Sequence, residues 1–153
     1  MKRFLSWILA APLLMGSSSC IFVHVRGDLH DELLDGDEGF PGLLPRLDAC
    51  LVDPVHELDI SGTAWNLEAT WTISFAEGSD GGKAFHEARS AVLERIAREG
   101  GRVVEETSTG PHAWECEFEQ DGERGEASVT LVEQADPGAH RPHELEVTWE
   151  QAD

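Results

Sequence analysis

Along residues 65–75, WNLEATWTISF, apolar and polar side chains alternate. Trp65, Leu67, Ala69, Trp71, Ile73 and Phe75 fall on one parity, and Asn66, Glu68, Thr70, Thr72 and Ser74 on the other. Successive side chains of a strand point to opposite faces, so this pattern predicts a strand with one buried and one solvated face. The period then changes. In SDGGKAFHEARSAVLERIAREGG, Phe85, Ala88, Val92 and Ile96 recur at intervals of three and four, with Ser79 or Asp80 available as N-cap and Gly100-Gly101 as a stop. That spacing predicts an amphipathic helix.

Alternation resumes and runs to the end. RVVEET reads as a strand and STGPH as a turn; in AWECEFE, Trp114, Cys116 and Phe118 oppose Glu115, Glu117 and Glu119. QDGER supplies the Asp-Gly of a tight hairpin turn before EASVTLVE, and in HELEVTWE, Leu145, Val147 and Trp149 oppose Glu144, Glu146, Thr148 and Glu150. The expected fold is therefore α+β, an about five-stranded, mainly antiparallel sheet in β-α-β-β-β-β order. Trp65, Trp71, Trp114 and Trp149 all share the apolar parity of their strands, as a sheet covered on one side requires. Five strands span roughly 20 Å and one helix covers about 10 Å, so a second cover is needed. The apolar residues left over for it are Leu43, Leu44, Leu47, Leu51, Val52 and Val55. We therefore expect an irregular N-terminal segment, residues 20–59, packed with the helix on one face of a small domain formed by residues 60–153.

The first nineteen residues read as a signal peptide. Lys2 and Arg3 precede an apolar run of about twelve residues, Phe4 to Met15, followed by small residues Gly16 to Ser19. About 20 apolar residues are needed to cross a bilayer as a helix, so this run is too short for a permanent anchor. With Cys20 directly after Ser17-Ser18-Ser19, the stretch resembles a bacterial lipoprotein precursor, although Ser17 stands where that family usually has Leu. The resemblance covers residues 1–20 only and implies an acyl (palmitate-type) lipid on Cys20. An ordinary signal peptidase would also begin the mature chain at Cys20. Cysteine parity favours the lipid, because three cysteines leave one unpaired in an oxidising compartment unless one is acylated. The expected location is the bacterial cell envelope, membrane-anchored and facing the periplasm or cell surface. IFVHV follows Cys20 at once, a β-favouring run in place of a polar tether, which would hold the domain close to its membrane.

Eleven Lys and Arg stand against thirty Asp and Glu, a net charge of −19, and losing Lys2 and Arg3 with an acid-free leader makes the mature chain two units more negative. Nucleic acid is excluded as a partner by this charge. A partner drawn by long-range electrostatics would be a cationic protein surface, a polyamine, or weakly held divalent cations.

Candidate chemistry is sparse. Cys116 lies on the covered parity and Cys50 in the segment that must cover that face, so in an oxidising compartment the two are candidates for a disulfide; the alternative is two buried thiols acting as small apolar residues. His112 shares the parity of Cys116 but stands about 13 Å from it along a strand, too far for a Cys-His nucleophile pair. No G-x-S-x-G elbow, phosphate-binding glycine fingerprint or P-loop occurs. HRPH, His140 to His143, lacks further ligands nearby, and DGDEG, Asp35 to Gly39, departs from the calcium-loop spacing. Neither a cofactor nor a metal is expected, and no catalytic residue is assigned. What remains is the polar face of the sheet, with Glu68, Glu115, Glu117, Glu119, Glu144 and Glu146 as a candidate binding face. The sequence thus points to an exported lipoprotein that binds or scaffolds without catalysis at a membrane surface. The alternative is a small acid-dependent hydrolase of the cell envelope.

Overall fold

The computed structural model describes residues 21–26, 28–37, 39–63, 66–133 and 140–152. The leader, Cys20 and Trp65 lie outside the described residues. In chain order the elements are β1 (Ile21–Arg26), α1 (Asp28–Asp35), α2 (Leu43–Asp48), β2 (Val55–Thr63), β3 (Asn66–Phe75), α3 (Gly81–Arg98), β4 (Arg102–Gly110), β5 (Ala113–Gln120), β6 (Glu123–Glu133) and β7 (His143–Ala152). One antiparallel sheet holds all the strands in the order β1-β2-β3-β7-β6-β5-β4.

The α+β class agrees with the sequence pattern, but the sheet has seven strands where about five were expected. Both extra strands come from the stretch read as irregular, which also forms α1 and α2. Val55–Thr63 does alternate, with Leu58 and Ile60 inward and Glu57 and Asp59 outward, yet two buried aliphatics are a faint signal. What makes it a strand is pairing along its whole length with β3, from Val55 opposite Ser74 to Thr63 opposite Asn66.

Topology follows from the helix. The chain builds β1, β2 and β3 side by side, crosses the apolar face through α3 to the far edge, and returns as β4, β5 and β6 until β7 closes against β3. Eighteen residues of helix rise about 27 Å, enough to make that crossing. Asp80 caps it, accepting the Lys83 backbone N–H at 2.9 Å. The β5–β6 hairpin turns on Asp121 and Gly122, whose φ values of 53° and 87° are the left-handed pair that a two-residue Asp-Gly turn uses.

The apolar face has two covers, as the width argument required. α3 presents Ala84, Ala88, Val92 and Ile96 and packs on β4 to β7, while α1 packs on β1 and β2, and α2 bridges α1 to α3. Leu43, Leu47 and Leu51 are buried in this second cover, Leu44 is partly buried, and Val52 is exposed. Val55 belongs to β2 instead. Asp35 accepts the Leu44 backbone N–H at 3.0 Å, so part of the DGDEG motif orders α2. The covers meet at an aromatic joint: Phe40 lies edge-on to Trp71 at 5.2 Å and to Trp149 at 6.2 Å, and the Arg95 guanidinium stacks on Trp149 at 3.9 Å. Phe118 packs on the same Trp149 at 4.6 Å, over Gly125, which stands opposite it in the register.

Candidate functional site

The open face of the sheet is where the register has its sharpest chemical consequence. Glu68 pairs with Glu150, Glu150 with Glu126, Glu126 with Glu117, and Glu117 with Glu105. Five glutamates from β3, β7, β6, β5 and β4 therefore form one row perpendicular to the strands. At about 4.8 Å between neighbouring strands, the row is roughly 19 Å long. Like charges directly opposite one another are destabilising, so this row is a feature the fold carries at a cost.

Of the residues expected on the binding face, the structure brings Glu68 and Glu117 into the row. Glu115 stands in the next line, with Thr70, Thr148, Ser128 and Thr107, and Glu146 in the one after. Glu144 pairs with Ser74 near the other end of β7, and Glu119 is drawn off by Arg102 at 2.8 Å. Sequence reasoning missed Glu105, Glu126 and Glu150 as site residues. Glu150 already lies on the polar parity of HELEVTWE without being assigned to the face, and the same alternation along β6 would have added Glu126. Glu105 was hidden by a bulge: β4 pairs Val103 with Phe118 and then Glu105 with Glu117, so Val104 is an extra residue that resets the parity. The same bulge sends Glu106 to the covered side, where it pairs with Arg89.

A concavity of about 270 Å³ lies over this part of the face. Glu105, Glu117, Glu126 and Glu150 line it together with Thr107, Glu115, Ser128 and Thr148. Arg124 approaches Glu117 at 3.9 Å, and Asn66 donates to Glu150 at 2.7 Å. Among the described residues, no three His, Cys, Asp or Glu side chains converge so as to hold a metal ion. No helix among them is long and apolar enough to cross a membrane. No family model, curated protein or solved structure matches the chain.

Both thiols are poor nucleophiles. Burial pushes the Cys116 thiol up to about 11, with Glu106 adding to the effect, and burial likewise raises Cys50. Both are free thiols in this structure. Cys50 donates to the Arg46 and Leu47 carbonyls at 3.3 Å, beside the flank of α3 that carries Lys83, Glu87 and Glu94. Cys116 lies by Arg89, which the 3.6-residue period puts on the opposite flank. The N-terminal cover closes the β1–β3 side of the sheet, whereas Cys116 is under the long helix in β5.

His112, the other half of the rejected Cys-His pair, sits at the β4–β5 turn against the Phe85 ring at 5.7 Å. His143 stacks on Phe75 at 5.5 Å, and His140 and Arg141 hold Asp53 at 3.4 and 2.7 Å. The histidine-rich motif thus pins a loop.

Proposed function

We propose that this chain is an exported lipoprotein of the bacterial cell envelope, anchored through Cys20, whose open sheet face docks a cationic protein partner without catalysing a reaction. The observation that carries the reading is the registered row Glu68–Glu150–Glu126–Glu117–Glu105. Solubility needs only scattered charge, and scattered charge is available elsewhere on this surface at no cost in cross-strand repulsion. A line of carboxylates opposing one another is selected against unless a cation relieves it, and Lys or Arg side chains on a partner supply that relief.

A hydrolase reading finds no favouring observation. General acid and base catalysis needs two carboxylates in environments that separate their proton affinities, typically inside a closed pocket. Here the carboxylates share one open layer, and nothing packs over them from another element among the described residues.

Chemical crosslinking in intact membranes tests docking. The wild-type chain is expected to form an adduct with a basic protein, and the triple variant Glu105→Gln, Glu117→Gln, Glu126→Gln to lose it while remaining folded; an unchanged adduct would refute the face. Palmitate labelling tests the anchor, with label expected on the wild type and absent from Cys20→Ala.

A further inference from the structure

We infer that β1 is the membrane-facing edge of the domain, so that the sheet stands on this edge with its glutamate row directed away from the bilayer. The occupant proposed for the β1 edge is a lipid surface, and the inference rests on the anchor at Cys20. Three observations carry it. The first is reach: β1 begins at Ile21, one residue after Cys20, so the strand starts within about 3.8 Å of the lipid-bearing Cα, with no linker to swing the domain.

The second is surface character. Phe22 is 72% exposed, the most exposed large apolar side chain among the described residues, and Val23 is 40% exposed. Because neighbours along a strand point to opposite sides, the edge offers apolar groups on both faces. Among the described residues its outer backbone groups have no strand partner, which limits burial to the headgroup and interfacial zone, where water still satisfies them.

The third is charge. IFVHVR contains no acid, in a chain with thirty. The acids of β2 on the open face each stand opposite a base of β1: Asp59 is paired with His24, and Glu57 has Arg26 opposite it in the register. On its open face this edge therefore sets acid opposite base, while the far part of the sheet stacks acid on acid; the acids that follow β1, Asp28, Asp31, Glu32 and Asp35, belong to α1 on the covered side. An anionic bilayer repels the second more strongly than the first. Phe22 and Glu105 also terminate one continuous line, Phe22–Ser61–Glu68–Glu150–Glu126–Glu117–Glu105. Six steps of about 4.8 Å put the row's end roughly 29 Å from the lipid contact, well beyond the ~8 Å screening length at physiological salt.

The test is photocrosslinking of the full chain in native membranes, with benzoylphenylalanine at position 22 or, as control, at position 104 on the opposite edge. Both sites are at least half exposed, so neither replacement threatens folding. We expect phospholipid adducts from position 22 and none above background from position 104. Equal lipid adducts at both positions, or no lipid adduct at 22, would overturn the inference. So would an adduct of doubled mass at 22, which would mean that a second copy pairs with this edge. Palmitate labelling of the same samples separates the failures: labelled protein lacking the lipid adduct sinks the orientation alone, whereas unlabelled protein sinks the anchor and the orientation with it.

Discussion

On the β1-β2-β3 side, two short helices close the apolar face and the open face sets acids opposite bases; on the β7-β6-β5-β4 side, one long helix closes the apolar face and the open face sets acid opposite acid. Both sides obey the same inside-outside alternation. The difference lies in which residues the register makes neighbours. It separates a half whose surface charges stabilise the sheet from a half whose surface charges strain it, and a strained surface on a well-packed scaffold is where binding is to be sought. The halves are joined through Phe40, Trp71, Trp149 and Arg95, so the comparison is open to experiment from either side.

Cutting the joint has the largest expected effect. Phe40→Ala removes a side chain that is 1% exposed and touches both covers, and should cost about 3–5 kcal/mol in urea unfolding. If the halves were independent, that variant would unfold in two steps; one cooperative transition is expected. Gly125→Ala introduces its strain on the β4–β7 side. A Cβ there would lie 2.3 Å from Phe118 Cζ, and the ring that packs on Trp149 must yield, at a cost of about 1–3 kcal/mol.

Relieving the row should act in the opposite direction. Glu126→Gln removes the charge facing both Glu150 and Glu117, and should stabilise the domain by about 0.2–1 kcal/mol for each relieved pair while weakening partner capture. Added NaCl should raise the melting temperature of the wild type more than that of the variant, because salt screens the repulsion that the variant lacks. A destabilised Glu126→Gln would mean that the row is not under strain.

The β1–β3 side has its own, smaller signature in pH. His56 is half-buried beneath the N-terminal cover, and desolvation holds it below its usual 6.5, against the pull of Asp31 and Asp48. Above pH 6.5 the imidazole is neutral folded and unfolded; as the pH falls through 6.5 the unfolded chain takes up a proton that the folded chain resists. Stability should therefore decline from about pH 6.5 toward the depressed folded value. The decline should be shallower in His56→Gln, measured by denaturation midpoints across that range.

Much of the architecture was legible because it is local. Alternation assigned faces to Trp71, Trp114 and Trp149, the change of period located α3, and Asp121-Gly122 announced its hairpin. The width of the sheet even demanded a second cover and pointed to Leu43 and Leu47. The bulge at Val104 was not legible, since one inserted residue reverses parity without leaving a mark in composition.

Except beyond the Val104 bulge, which side chains face the core and which face water could be read from the chain alone, because a two-residue or 3.6-residue period is a property of the backbone. Only the tertiary structure decided which water-facing residues meet. Glu68 and Glu150 are neighbours because β7 closes against β3. Neighbourhood across strands depends on the order in which a distant segment docks, and that order is set by packing over the whole apolar face rather than by any short stretch of the chain.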